Sequence, residues 1–535
     1  MDPNLADLFE AVADAVPERP ALVCAGRRLT YAEVEDQANR LAHHLLDAGV
    51  GSGHHVGMYL HNSVEYVVGM VACLKIRAVP INVNYRYVEA ELRYLFDNAD
   101  LFGLIHARGF IPRIDAVRAE VPSLRTFISV DDGSGEDLRA IGTVSFDEAV
   151  GSQRGMRHFA PRSGDDLYII YTGGTTGMPK GVMWRQGDLY HAGLGAGNPL
   201  GEPMLSVEAL VANVRARDPQ IVQFAVPPLI HGAAQLGVLI AFNWGDKMVL
   251  VPRFDPEVVW QAIHDERVNT INLVGDAMAR PLAETLAANP DRWDISSLYY
   301  VGSTGAVISQ SVKEQLRALL PNTIVTENFG ATETGHQGME AMEDARPAGG
   351  GLRFQVKETT MVVDDDLRPI VAGSGAMGKL ALRGHVPLGY YKDPEKTAGT
   401  FFEKDGHRWV VPGDIATVDA DGSVIVFGRG SICINSGGEK VFPEEVEQAL
   451  RSHADVYDAV VVGVPDERWG ERVTAVIQPR AGKTPTLQEI DAHCREHVAG
   501  YKVPREIHLV EQIQRQPSGK PDYPWAKALA TKEPG

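Results

Sequence analysis

The stretch Thr172-Gly-Gly-Thr-Thr-Gly-Met-Pro-Lys-Gly181 concentrates glycines, threonines and a lysine in one segment suited to holding phosphate. Glycines let backbone N–H groups crowd around an anion, threonine hydroxyls add donors, and Lys180 supplies positive charge. The spacing is not that of a Walker A loop, because Pro179 precedes the lysine and no Ser or Thr follows it. A P-loop kinase or ATPase is therefore disfavoured. In Asn328-Phe-Gly-Ala-Thr-Glu-Thr-Gly335, the Thr332 hydroxyl can donate to a phosphate and the Glu333 carboxylate can hold Mg²⁺, although Thr-Glu also commonly opens a helix. Asp414 after Gly413 reads as a turn residue as well as a ligand for hydroxyls, and His231 as a core histidine as well as a pocket wall. Lys520, in a Pro/Ser/Gly-rich loop near the C-terminus, is by itself an ordinary solvated lysine.

These residues need elements to hold them. Thr30-Tyr-Ala-Glu33 is a capping box, and Val34, Ala38, Leu41 and Leu45 follow at helical spacing until Gly49. Short apolar runs then alternate with helical patterns: 56–60, 101–106, 126–130, 167–171, 221–226, 247–251, 270–274, 298–301 and 323–326. This alternation predicts an α/β protein with largely parallel, helix-covered sheets. After about residue 350 the texture becomes β-rich, with strands expected at 378–383, 408–411, 415–418 and 423–427. A compact α+β tail follows Arg429, with a helix at 443–451, strands at 459–464 and 473–478, and a second capping box at Thr486 and Glu489. The expected division is a large domain over 1–428 and a small, mobile one over 429–535 carrying Lys520.

At 535 residues, 44% hydrophobic and 23% charged, the chain has the composition of a multi-domain globular enzyme. A net charge of -19 disfavours nucleic acid as the main partner, since such binding relies on clustered Lys and Arg, and no nucleic acid is expected. Cys24, Cys73, Cys433 and Cys494 show no metal-binding spacing, and the first residues do not read as a secretory signal. The longest apolar stretch, 67–81, is interrupted by Lys75 and Arg77 and is shorter than the ~20 residues of a membrane span. A cytoplasmic location is expected; peripheral membrane contact and a homodimer stay open.

Taken together, these segments resemble the adenylate-forming superfamily of acyl-CoA synthetases, luciferases and peptide-synthetase adenylation domains. The resemblance runs from about residue 30 to 520 through Pro228-Leu-Ile-His231, the Asn328–Gly335 segment, Gly389-Tyr-Tyr391, Gly413-Asp414, Gly428-Arg429 with Gly437-Gly438, and Pro517-Ser-Gly-Lys520. It implies ATP, Mg²⁺ and CoA, with a carboxylic acid activated through acyl-AMP and passed to the thiol. Thr172, Gly173, Gly174, Thr175, Thr176, Gly177 and Lys180 would grip phosphate, and Glu333 with Thr176 would hold the metal. The adenine would lie near Gly302, Ser303, Thr304, Gly305 and Ala306 and beside Asn328, Phe329, Gly330 and Ala331. Asp414 and Arg429 would bind the ribose, Thr332 the α-phosphate, and His231 would wall the acyl pocket. Lys520 would be the adenylation lysine, and Gly437 and Gly438 would line a pantetheine tunnel.

Two positions depart from the family pattern: Gly173, where a hydroxyl residue is usual, and Ser431, the expected hinge, where Asp or Lys is usual. The long segment between the phosphate loop and Pro228 suggests a built-up pocket. The runs 171–185 and 80–87 look most like bacterial fatty-acyl and steroid side-chain acyl-CoA synthetases. The alternatives are an acyl-AMP ligase loading a separate carrier protein and a non-catalytic nucleotide- or acyl-CoA-binding protein.

Overall fold

The helix opened by the Thr30 capping box spans Tyr31–Asp47; the Thr30 hydroxyl accepts from the Glu33 amide and the Glu33 carboxylate from the Thr30 amide. Gly49, at φ +87°, then turns the chain out of the helix in the left-handed region. The computed structural model describes residues 2–172, 178–199, 201–340, 352–436, 439–466, 468–516 and 519–532.

The run at 167–171 belongs to a third sheet, and all the other alternating apolar runs fall in two. In one, strands Val79–Asn82, His55–Tyr59, Leu101–Ala107, Thr126–Val130 and Val144–Ser145 lie side by side, all parallel. In the other, Lys247–Leu250, Val222–Ala225, Thr270–Leu273, Tyr300–Thr304 and Ile324–Ala331 are parallel neighbours. Parallel strands buried on both faces need apolar side chains in both directions, as the runs provide. Their cores pack Trp184, Tyr168 and Phe242 on one side and Trp260, Phe224 and Ile263 on the other. Each such fully buried apolar side chain contributes roughly 1.5–3 kcal/mol.

At Ile324–Ala331 the larger sheet changes character. Its next neighbour, Gly335–Glu340, is antiparallel, and pairing continues through Leu352–Val356, Val424–Arg429, Asp414–Val418 and Gly378–Arg383. The β-rich region expected after residue 350 is thus an extension of the main sheet. A third sheet pairs Leu167–Thr172 with Lys180–Arg185, and the latter with Gly389–Tyr390. From Ile434 the chain builds a separate sheet in which Val456–Asp466 and Gly470–Pro479 are antiparallel and Glu506–Leu509 adds in parallel. Helices Pro443–Arg451, Leu487–His497 and Tyr523–Ala530 accompany it.

Two expectations need correction. The strand placed at 298–301 forms at Tyr300–Thr304, because Leu298 closes a turn onto Ile295 and polar Gly302 to Thr304 pair with Asn272, Leu273 and Thr326 to Asn328. The N-terminal hairpin Pro20–Cys24 with Arg27–Thr30 was not anticipated; exposed Arg27 and Arg28 hide its strand pattern. Lys75 is fully buried in helix Val64–Lys75, where Glu10 and Glu35 hold its ammonium at 2.6 and 2.8 Å. Burying that charge costs free energy that only such close pairing offsets. All four cysteines are free thiols, and among the described residues no helix is long and apolar enough to cross a membrane.

Candidate active site

The phosphate-loop residues Gly173, Gly174, Thr175, Thr176 and Gly177 lie outside the described residues, but the strands flanking them are defined. Thr172 ends one strand, Lys180 begins the other, and the two face each other across the antiparallel pair. Lys180 places its ammonium 3.2 Å from an Asp393 carboxylate oxygen and 5.8 Å from the centre of the Tyr390 ring. Tyr390 reaches this position because Gly389–Tyr390 pairs directly with Met183 and Val182. Its hydroxyl donates to Glu333 Oε1 at 2.9 Å, and burial beside that carboxylate raises the phenol well above its ordinary pKa.

Thr332 and Glu333 occupy the turn between Ile324–Ala331 and Gly335–Glu340. The segment is a β-hairpin corner, so the helix-opening alternative is excluded. The Ala331 amide donates to Thr334 Oγ1 at 3.0 Å, and Trp184 Nε1 donates to the Thr332 carbonyl at 2.9 Å. These bonds fix the corner while leaving the Thr332 hydroxyl toward the cavity it lines.

Gly302, Ser303 and Thr304 lie on a neighbouring strand, with Thr304 opposite Asn328. Ser303 is buried; its hydroxyl accepts from the Gly275 amide and donates to the Ala306 carbonyl. It therefore shapes the turn, and only its backbone remains for a nucleotide. Phe329 stacks obliquely on Phe354 at 5.1 Å, and Thr304, Gly305, Asn328, Phe329, Gly330 and Ala331 all border the cavity.

Asp414 and Arg429 face each other on adjacent strands, Oδ1 to Nε 3.2 Å. Burial pushes the Asp414 carboxyl above its usual range, opposed by the Arg429 charge. Lys520 arrives from the C-terminal segment. Its Cε lies 3.2 Å from where a Cβ on Gly305 would stand, and Gly305 has φ +86°, so glycine serves both the backbone and the approach. Crowding by protein and the Arg429 charge lower the Lys520 pKa, while Glu333 and Asp414 raise it. The side chain still reaches solvent, which screens these effects. The Lys520 loop is tied down behind it: Arg515 Nη1 donates to the Gly519 carbonyl at 2.8 Å, and Arg515 is itself held by Asp458 at 2.6 Å.

Thr172, Thr304, Gly305, the Asn328–Thr332 segment and Lys520 line one cavity of about 1230 Å³, whereas Lys180, Glu333, Tyr390, Asp414 and Arg429 are not among its lining residues. His231 borders it as the N-cap of helix Gly232–Trp244, and a Cβ on Gly232 would stand 3.7 Å from Thr332 Oγ1. Ile170, Ala234, Leu236, Arg217, Gln223 and Tyr299 also line the cavity, and Gln223 and Tyr299 lie toward the beginnings of the parallel strands, away from Gly305 at the end of Tyr300–Thr304. Gly437 and Gly438 lie outside the described residues, and Ser431 sits in the short 3-10 turn Gly430–Ile432. Sequence reasoning missed Trp184, Asp393 and the role of Tyr390. Only the Gly-Tyr-Tyr pattern at 389–391 hinted at the last.

The chain matches the family model described as AMP-binding enzyme over residues 9–391, and the AMP-binding enzyme C-terminal domain over 445–520. It is 48% identical over 535 residues to a medium/long-chain-fatty-acid–CoA/3-oxocholest-4-en-26-oate–CoA ligase of Mycolicibacterium smegmatis, covering 99% of this chain and 97% of that one. It is 47% identical over 528 residues to the 3-oxocholest-4-en-26-oate–CoA ligase of Rhodococcus rhodochrous, covering 98% and 95%. Its fold is that of the anthranilate CoA ligase AuaEII bound to anthranoyl-AMP, with a TM-score of 0.84 at 24% identity over 99% of this chain and 97% of that one. With both family models matched in order along the chain, it belongs to the AMP-binding enzymes, the adenylate-forming family.

Proposed function

We propose that this protein is a cytoplasmic, ATP-dependent acyl-CoA ligase that converts a bulky hydrophobic monocarboxylic acid to its CoA thioester through acyl-AMP. The observation that carries this reading is the single cavity joining Thr332, Gly305 and Lys520 to a long, largely apolar interior. At about 1230 Å³ it exceeds the roughly 300–1,000 Å³ of an ordinary ligand pocket, leaving room for an acid beside a nucleotide.

A carboxylate must be activated because oxide is a poor leaving group. One carboxylate oxygen attacks the α-phosphorus of ATP, the bond to the bridging oxygen breaks, and pyrophosphate departs. Lys520, presented at Gly305, offsets the repulsion between the two anions. Thr332 donates to the α-phosphate, Asp414 and Arg429 orient the ribose, and Lys180, released from Asp393, turns to the departing phosphates. The buried Glu333 carboxylate fits Mg²⁺, which takes few protein ligands plus phosphate oxygens and water, and Thr176 is proposed as its companion ligand. When bound, that ion neutralises charge on the leaving group. In the second step the CoA thiol loses its proton, its sulfur attacks the acyl carbonyl, and the bond to AMP breaks. The two steps need different surroundings at one carbonyl, so the small domain from 429 to 535 is proposed to rotate between them near Ser431, with Gly437 and Gly438 lining the thiol's path.

The substrate class draws on the relatives and on the far end of the cavity. Arg217, Gln223 and Tyr299 there suit an acid with an oxygen remote from its carboxylate, as in an oxosteroid, while the apolar length also suits a long-chain fatty acid. The test is a panel of fatty and steroid-derived acids with ATP and CoA, read by mass spectrometry. Acyl-CoA formation supports the proposal. Accumulation of acyl-AMP alone favours a carrier-protein ligase, and no turnover with any acid favours a non-catalytic binding protein.

A further inference from the structure

We infer that Glu284, Tyr457 and Arg480, with Arg280, form a latch between the two parts of the chain that positions Lys520 for acyl-AMP formation and is released for thioester formation. This rests on the two-step reading above. Helix Gly275–Ala288 carries Ala277, Arg280 and Glu284 at spacings that place them on one face. Its first turn meets the Lys520 loop: a Cβ on Gly519 would lie 3.2 Å from Val274 Cγ1 and 3.6 Å from Ala277 Cβ. Farther along, the Arg280 guanidinium lies 5.5 Å from the centre of the Tyr457 ring, and Arg480 lies 5.8 Å from the same centre. Arg480 Nη1 donates to Glu284 Oε1 at 3.3 Å, so the ring gathers both guanidinium groups and the carboxylate holds the one that comes from the C-terminal part.

Tyr457 is placed by an irregularity in its strand. The pairing of Val456–Asp466 with Gly470–Pro479 slips between Val456 and Asp458, leaving Tyr457 as the extra residue of a bulge. Such a bulge re-aims a side chain, and here the ring is delivered to helix Gly275–Ala288. The next residue, Asp458, is buried and accepts from Arg451 and Arg515. Arg515 in turn holds the Gly519 carbonyl, one residue before Lys520. One strand therefore carries the interface contact and the brace of the catalytic loop on adjacent residues. Arg280 is itself fixed by Asp276 at 3.1 Å, so the receiving side is preset.

None of these residues touches the reacting atoms; they are positioning residues. Tyr457→Ala is expected to slow acid-dependent ATP–pyrophosphate exchange by roughly 10-fold. Thioester formation from supplied acyl-AMP stays unchanged or quickens. Tyr457→Phe, which keeps the ring, should retain the wild-type ratio of the two steps. Glu284→Lys should slow exchange more than Glu284→Gln, because it sets a third cation against Arg280 and Arg480. Equal loss of both steps, or no loss of either, overturns the latch. Hydrogen–deuterium exchange of the full chain without substrates provides a reading independent of turnover. Tyr457→Ala should accelerate exchange in 275–288 and 515–520, and Tyr457→Phe should not. Unchanged protection in Tyr457→Ala also overturns it, whether or not any acid is activated; a wild-type chain inactive with every acid defeats the proposed function alone.

Discussion

Lys520 and Gly305 meet so closely that even a methyl group between them would crowd the lysine, and this approach places a positive charge against the cavity. Lys520→Ala is expected to abolish acid-dependent pyrophosphate release while leaving CoA transfer from supplied acyl-AMP largely intact. Measuring both half-reactions on the same preparation checks it, and equal loss of both rejects the role given to Lys520. Gly305→Ala introduces a methyl group 3.2 Å from Lys520 Cε on a backbone at φ +86°. Its strain cost is about 1 kcal/mol, and adenylation should slow by roughly tenfold with the folded state retained. Pyrophosphate exchange together with thermal unfolding distinguishes the two effects.

Strands, more than loops, assemble the site. Glu333 and Tyr390 lie 57 residues apart, yet pairing of Gly389–Tyr390 with Lys180–Arg185 delivers one to the other. Tyr390→Phe removes a hydrogen bond to a charged acceptor, an effect of about 1.5–3 kcal/mol, and should raise the KM for magnesium–ATP by roughly tenfold or more with little change in KM for the acid. Steady-state kinetics with each substrate varied in turn provide the check. What is legible in the sequence follows from this construction. Glycine and threonine density, the Thr332-Glu333 pair and the parallel-strand runs are local signals; they recover the α/β class and single out residues such as Asn328, Phe329 and Thr332 that line the cavity. Asp393 beside Lys180, Trp184 on the Thr332 carbonyl and Asp458 behind the Lys520 loop arise from pairing between distant segments. No window of sequence contains both members of those contacts. Apolar patterning points to 298–301 instead of Tyr300–Thr304 for a related reason: the polar half of this strand is a strand because of its neighbours.

At the scale of the molecule, the junction between the large sheet and the C-terminal segment carries a titratable contact. Gly428 lies so close to Glu444 that a Cβ there would stand 2.5 Å from the carboxylate. Burial, with Glu447 and Asp414 nearby, pushes the Glu444 carboxyl up to about 8. This arrangement therefore holds a proton that a solvated glutamate releases near pH 4.5. It is favoured at low pH and loses that advantage as pH climbs from about 4.5 to about 8. If rotation of the C-terminal segment exposes Glu444, Glu444→Gln should flatten a fall in adenylation rate between about pH 6 and 8. Pyrophosphate exchange across that range, with transfer from acyl-AMP as reference, tests the sign.

The unbroken sheet from Ile324–Ala331 through Gly335–Glu340, Leu352–Val356 and Val424–Arg429 to Asp414–Val418 has a further consequence. Backbone pairing links Asn328 and Phe329 to Asp414 and Arg429, whereas His231, Ala234 and Leu236 come from a separate helix and its cap. On the proposed reading, the ruler that measures the nucleotide and the part of the acid's mould built by His231, Ala234 and Leu236 are different pieces of backbone, while Gln223 shares the sheet of Asn328. Heredity can recast the mould without recalibrating the ruler, so new acids can be admitted while the activating chemistry stays in register.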